Sequence, residues 1–186
     1  MRIISGIAKG RKLLSPEDYA TRPTLDRVKE AMFNIIAGYV PGAITLDMFA
    51  GTGSLGLEAI SRGAKYCYLF EKDSKSYSIL KENIKALDFS DSATAFNYSC
   101  YDGIKVLSDK NIKFDLIFID PPYMKSMIPT ALELIDKYKL LNEDSIIVTK
   151  IDSKEKVYEG INNINLIDKR KYGKTIVCFY KIKEGE

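Results

Sequence analysis

Two hydrophobic periods alternate along this 186-residue chain. Short apolar runs of strand length are separated by stretches in which apolar residues recur every three or four positions. The first helical stretch carries Val28, Ala31, Met32, Ile35 and Ile36 at that spacing, and Gly38 and Pro41 end it. A strand–helix repeat is predicted from there. Its strands lie over 44–50, 66–71, 93–99, 114–120 and 145–151, and its helices over 55–62, 74–87, 103–107 and 128–140. A further helix is predicted over 154–160, and residues 165–171 and 175–183 read as a hairpin around Tyr172-Gly173-Lys174. Ahead of the repeat, residues 1–14 read as one or two short strands turning at Gly6 and Gly10, and 15–23 as a loop. Thr24 is placed to cap the first helix, with Asp26 in its first turn. The alternation implies a mostly parallel sheet with helices on both faces, to which the hairpin adds an antiparallel strand. No repeat, low-complexity segment or linker divides the chain. One domain over 1–186 is expected, with a short basic β extension over 1–20 and a core over 21–186.

The most apolar predicted strand, Phe114-Asp-Leu-Ile-Phe-Ile119, stops at Asp120-Pro121-Pro122-Tyr123. Prolines have no N–H and cannot continue a ladder. They leave carbonyls beside a carboxylate, an array that accepts hydrogen bonds from an –NH2 group, and Tyr123 offers a flat face for a ring. The target suggested is the amino group of a base or an amide.

A second motif follows the first core strand. Asp47-Met-Phe49-Ala50-Gly51-Thr-Gly53-Ser-Leu-Gly56 has G-x-G-x-x-G spacing and opens a helix. Glycines there permit tight turning and close approach of backbone to a ligand. Glu71 lies 20 residues beyond Gly51, next to Lys72, at the end of the following strand. There it can accept hydrogen bonds from ribose hydroxyls. A nicotinamide dinucleotide and S-adenosylmethionine both fit this much. Asp47 favours the second, because a carboxylate would repel a pyrophosphate and suits a ligand with an ammonium and a sulfonium. Asp102, after the third strand, is placed either for the adenine amino group or as a helix N-cap.

Composition narrows the chemistry. Histidine is absent, so Ser–His, Cys–His and His-metal arrangements are excluded and a proton must go to a carboxylate, a backbone group or water. Cys67, Cys100 and Cys178 make no metal-ligand spacing and suit a reducing compartment. No apolar run reaches membrane-spanning length, and a cytoplasmic location is expected. The net charge is +3, unevenly spread. Residues 1–12 carry four basic groups and no acid, residues 168–186 six basic and three acidic groups, and the middle is left at −4. Basic ends around an acidic middle suggest a polyanion held at the periphery of a cofactor-binding core. Candidate phosphate contacts are Arg2, Lys9, Arg11, Lys12, Arg27, Lys169, Arg170, Lys171 and Lys174, with Tyr19 and Tyr172 as candidate stacking surfaces. Arg22 and Thr24, at the start of the first helix, could hold a cofactor carboxylate or an RNA phosphate, or form a cap and a surface ion pair.

With these features the chain resembles Rossmann-like class I S-adenosylmethionine-dependent methyltransferases. In detail it resembles the bacterial 16S rRNA guanine-N2 methyltransferase family called RsmD. The resemblance is carried by Met1-Arg-Ile-Ile-Ser-Gly6, Lys9-Gly-Arg-Lys-Leu13, Thr21-Arg-Pro-Thr24, Asp26-Arg-Val-Lys-Glu-Ala-Met-Phe-Asn-Ile-Ile36, Leu46-Asp-Met-Phe-Ala-Gly-Thr-Gly53, Leu55-Gly-Leu-Glu-Ala59, Ser61-Arg-Gly-Ala64, Phe118-Ile-Asp-Pro-Pro-Tyr123 and Tyr172-Gly-Lys-Thr175. It implies a seven-stranded sheet with one antiparallel strand. It also implies methyl transfer to a guanine N2 in small-subunit rRNA, within an assembling particle; nothing in the sequence demands a dimer, and a monomer is expected. The family pattern carries an acidic residue at the end of the fifth strand, where this chain has Thr149-Lys150-Ile151. The tetrapeptide at 120–123 is shared with DNA adenine-N6 methyltransferases and loosely resembles that of protein-glutamine enzymes. A non-catalytic RNA-binding module and a nicotinamide oxidoreductase are the remaining alternatives.

Overall fold

The computed structural model describes residues 1–16, 23–122 and 125–183, the side chains of 23–25 excepted. Four parallel strands form first: β1 (Ile44–Asp47), β2 (Tyr66–Phe70), β3 (Ala93–Phe96) and β4 (Phe114–Ile119). β5 (Leu141–Asp152) extends the sheet in parallel with β4. The hairpin is β7 (Ile164–Tyr172) and β8 (Thr175–Ile182), closed by a two-residue turn in which Gly173 has φ +60. β8 inserts antiparallel between β5 and β7. With a short edge strand, β6 (Gly160–Ile161), the order is β3-β2-β1-β4-β5-β8-β7-β6.

Among the described residues the sheet has eight strands rather than seven, because β6 pairs with β7 at the edge. The helix expected over 154–160 is absent from this segment. Asp152 and Glu155 close it as a turn: Asp152 Oδ1 accepts the Lys154 N–H and Glu155 Oε1 accepts the Asp152 N–H. Gly160 then takes φ +120, a value outside any helix, with the Ile164 carbonyl where a Cβ would stand.

The helices are α1 (Pro23–Ile35), α2 (Gly56–Ser61), α3 (Ser74–Ala86), α4 (Cys100–Asp109) and α5 (Met127–Lys137). α1 starts on its proline, a residue whose fixed φ suits a first helical position, so Thr24 lies inside the first turn and is not the cap. α4 starts three residues earlier than expected. Its N-cap is Ser99, whose hydroxyl accepts the Tyr101 N–H, and Asp102 sits in the first turn.

Alternation along β4 divides the core. Leu116 and Phe118 face Val28, Met32 and Phe33 of α1, whereas Ile117 and Ile119 face Ile104 of α4 and Leu132 and Ile135 of α5. A third cluster joins Leu57 and Ile60 of α2 to Leu80 and Ile84 of α3 over β2. The three cysteines are free and buried.

The N-terminal extension contributes one antiparallel bridge, Arg2 with Lys12, and otherwise lies on α2, where Ile7 donates to the Ser61 carbonyl, and on α3, where Leu14 and Asn83 exchange hydrogen bonds. Gly6, at φ +85, presses so close to Ser61 that a Cβ would meet its carbonyl. Glu58 of α2 is fully buried and holds this region. Its carboxylate accepts the N–H groups of Ile4 and Ser5 at 2.8 and 3.0 Å and pairs with Lys29 at 3.1 Å and Arg62 at 2.7 Å. Removing one member of a buried ion network leaves the others uncompensated. Glu58→Ala should therefore destabilise the protein by about 3–5 kcal/mol in urea unfolding.

Candidate active site

β1 and β4 lie side by side and end at the same edge of the sheet. From β1 the chain moves outward to β2 and β3, and from β4 it moves the other way to β5. The sheet's direction of growth switches between them, where a crevice opens outside the strand ends. A cleft of about 690 Å³ lies there. Its floor is Met48, Phe49 and Gly51 from the β1 turn. Phe70, Glu71 and Lys72 from β2 and Tyr98 to Tyr101 after β3 form one wall. Asp120, Pro121 and Pro122 form the other wall, with Met127 and Lys150. Met1, Asp26 and Lys29 close the rim.

The glycine turn is held by carboxylates. Gly51, at φ +55, donates its N–H to Glu71 Oε2 at 2.9 Å. Gly56 donates to Asp47 Oδ2 at 3.0 Å, and Gly53 to the Ala50 carbonyl at 2.8 Å. All three glycine amides are thus engaged within the fold. A Cβ at Gly53 would collide with Leu57 and Leu80, and one at Gly56 with Leu69 and Cys67, so α2 approaches β2 only because Gly56 has none, and the turn packs against α2 and α3 only because Gly53 has none. Glu71 Oε1 also accepts the Asp73 N–H at 2.7 Å.

Asp47 is buried behind the turn, and its Oδ1 has no hydrogen-bond partner among the described residues. Burial pushes its carboxyl up to about 7, opposed by the Gly56 N–H, with the charges of Asp120 and Glu71 adding to the rise. Lys29 is driven the other way: burial lowers its pKa, and Glu58 works against that. Across the cleft, the Tyr101 hydroxyl donates to the Met127 carbonyl at 2.9 Å, tying α4 to α5, and burial raises its pKa to about 12.

Of the residues expected from sequence, Phe49, Gly51, Glu71, Lys72, Asp120, Pro121 and Pro122 line the cleft. Asp47, Ala50 and Gly53 stand behind it. Asp102 is exposed on α4, outside the lining. Arg22, Tyr19 and Tyr123 lie outside the described residues, as does the side chain of Thr24. Sequence reasoning missed Lys29, Tyr98 and Tyr101. Lys29 interrupts the apolar face of α1 between Val28 and Met32, which was the available signal for an inward-facing charge. Lys150 stands out in the sequence only as a departure from the family pattern; in the fold it pairs with Asp120, Nζ to Oδ2 at 2.6 Å. A second cavity of about 360 Å³ shares Pro121, Pro122, Met127 and Lys150 with the cleft and is closed by Tyr158 and Tyr180.

The basic candidates divide. Arg2 pairs with Asp26 at the rim, at 3.2 Å, and Lys12 is its bridge partner. Arg27 is exposed on α1. Arg11 donates to the Ala86 carbonyl at the end of α3, away from the cleft, and Lys9 lies exposed in the same extension. Lys169, Arg170, Lys171 and Lys174 are exposed on the hairpin. Strand register places Arg170 opposite Val177, and Val177 opposite Lys150, on the row that leads to Asp120. Tyr172 packs partly buried against the α1-side core. Among the described residues no group of three or more His, Cys, Asp or Glu could hold a metal ion, and no helix is long and apolar enough to cross a membrane.

A family model described as conserved hypothetical protein 95 matches residues 1–181. The Bacillus subtilis protein YlbH is 38% identical over 181 residues, covering 97% of this chain and 98% of the relative. Ribosomal RNA small subunit methyltransferase D of Haemophilus influenzae is 37% identical over 153 residues, covering 82% and 79%. The solved structure of Escherichia coli yhhF superposes with a TM-score of 0.85 at 28% identity, covering 100% of this chain and 99% of that one.

Asp47 yields a pH prediction. Its folded value, about 7, exceeds the ordinary 3.8, so folding favours the protonated form. The group costs nothing below the ordinary value; its cost grows as pH rises towards 7 and is complete above it. Asp47→Asn keeps an acceptor for Gly56 and has no charge to bury. Its thermal midpoint should gain on that of the unsubstituted protein between pH 5 and pH 8, every tenfold change in proton affinity being worth about 1.4 kcal/mol. A constant difference across that range would contradict the assignment.

Proposed function

The chain belongs to the conserved hypothetical protein 95 family and is an S-adenosylmethionine-dependent methyltransferase of small-subunit ribosomal RNA; we propose that its acceptor is the exocyclic N2 of one guanine in 16S rRNA. The observation that carries the cofactor side is the use of the glycine amides. All three are engaged internally, two of them by carboxylates. The turn therefore offers a pyrophosphate none of its glycine N–H groups and confronts it with negative charge. It suits a ligand whose charges are an ammonium and a sulfonium, beside Asp47 Oδ1, which has no hydrogen-bond partner among the described residues. Glu71 is the acceptor for the ribose, and Phe70 and Tyr98, with ring centroids 5.6 Å apart, supply the wall for adenine. Lys72, Ser99 and Asp102 are the further groups near that end. Arg22 and Thr24 are proposed for the cofactor carboxylate.

The bound cofactor supplies an electrophilic methyl group. The chain supplies position. Asp120 and the Pro121 carbonyl accept the two N–H groups of the amine, which draws its nitrogen out of conjugation and aims the lone pair at the methyl. Tyr123 stacks on the base, a contact typically worth about 1–3 kcal/mol. As the nitrogen is alkylated it becomes acidic, and its proton leaves to Asp120 or water. No histidine is required. The work is done by orientation and fixed charge. A guanine presented in a loop is already unstacked, which removes much of the extraction cost.

The protein is proposed to act as one domain and as a monomer, in the cytoplasm, on an assembling small subunit. Exposed Arg170 lies on the row that leads through Val177 to Lys150 and Asp120, Lys169, Lys171 and Lys174 are exposed beside it on the hairpin, and with Arg2, Lys12 and Arg27 they make the proposed phosphate contacts. Lys9 and Arg11 extend this surface away from the cleft.

The test is methyl transfer from labelled cofactor to unmodified small ribosomal particles, read by nucleoside mass spectrometry. N2-methylguanosine at one position is expected; N6-methyladenosine would overturn the acceptor. Asp120→Ala should lower turnover by about 100-fold or more while leaving cofactor affinity nearly unchanged. RNA affinity should fall steeply with salt, and neutralising the four hairpin cations should flatten that slope by about 0.7 for each phosphate left without its cation.

A further inference from the structure

Asp120 follows β4, and the rung that pairs Ile119 with Thr149 sets Lys150 beside it. Residues two apart on a strand share a face. Asp120 therefore follows Leu116 and Phe118, and Lys150 follows Ile146 and Val148, on the side covered by α1. On its other flank Lys150 is opposite Val177, which is fully buried. The lysine stem is thus fixed between two packed strands, its side chain is 14% exposed, and its Nζ lies 2.6 Å from Asp120 Oδ2. Lys150 also stands in the wall common to the cleft and the second cavity.

We propose that Lys150 is a positioning residue for methyl transfer: it engages one oxygen of Asp120 and fixes the orientation in which that carboxylate meets the acceptor amino group. The inference rests on the amino-group reading above. The surrounding charges create the need for such a partner. Asp120 shares its end of the sheet with Asp47 and Glu71, and both Asp120 and Glu71 act electrostatically on Asp47. Without a cation, repulsion favours rotation of Asp120 away from them. Rotation by one staggered well moves the carboxylate oxygens by more than about an ångström, enough to cost on the order of 100-fold in rate. Lys29, another cation of this cleft, is held by Glu58 at 3.1 Å. The ion pair sits at the mouth of the site with the carboxylate 26% exposed, where an ammonium holds a preset geometry without full desolvation.

Lys150→Met keeps the stem and removes the charge. With small ribosomal particles as acceptor, kcat should fall by about 10- to 100-fold. KM for the particle and the calorimetric Kd for S-adenosylhomocysteine should each stay within about two-fold. Lys150→Arg, which keeps a cation, should recover most of the rate. Should the methionine variant lose its fold by circular dichroism, Lys150→Gln replaces it with the same expected split. An unchanged kcat would overturn the proposal. So would a loss confined to KM, which would make Lys150 a phosphate contact. An unsubstituted enzyme that yields no N2-methylguanosine contradicts the acceptor reading instead, whereas an active enzyme indifferent to Lys150→Met contradicts this inference alone.

Discussion

The adjacency of β1 and β4 is the constraint on which the site depends. Both strands end at one edge, and their onward connections leave in opposite directions. Among the described residues no crossover covers the space between them, so the backbone beyond both strands is available for ligands. The two signature segments, the glycine turn after β1 and Asp120-Pro121-Pro122 after β4, occupy those two ends. Residues far apart in sequence thereby form opposite walls of one cleft.

Within that cleft the organising element is fixed negative charge. Asp47 pins α2 through Gly56, Glu71 pins the turn through Gly51, and Asp120 is paired with Lys150. Each carboxylate has a structural partner as well as a proposed ligand. The arrangement has a cost, visible in the elevated pKa of Asp47, and an electropositive ligand would offset it. Glu58 applies the same principle behind the rim. It joins the N-terminal extension, α1 and α2, and so sets Met1 and Lys29 over the cleft.

Much of this was legible in the chain. The alternation of periods gave the strand–helix repeat because the central strands β1 and β4 are buried on two faces and helices such as α3 and α5 on one. The glycine spacing was readable because only residues without a Cβ fit Gly53 and Gly56. Other features depend on contacts between distant segments. The Glu58 partners come from residues 4 and 5, Lys29 and Arg62, and only Arg62 is at helical spacing from it. The turn at Asp152–Glu155 and the positive φ of Gly160 override a segment whose composition permits a helix. Lys150 was visible as a residue of unexpected charge, but its role required the β4–β5 register.

The central claim is that the methyl donor lies over the glycine turn, with Asp120 facing its reactive end. The most direct measurement is a crystal structure of the protein with S-adenosylhomocysteine. The account predicts ribose hydroxyls on Glu71, adenine against Phe70 and Tyr98, and the sulfur turned towards Asp120. A ligand bound elsewhere, or one whose sulfur points away from Asp120, would contradict it.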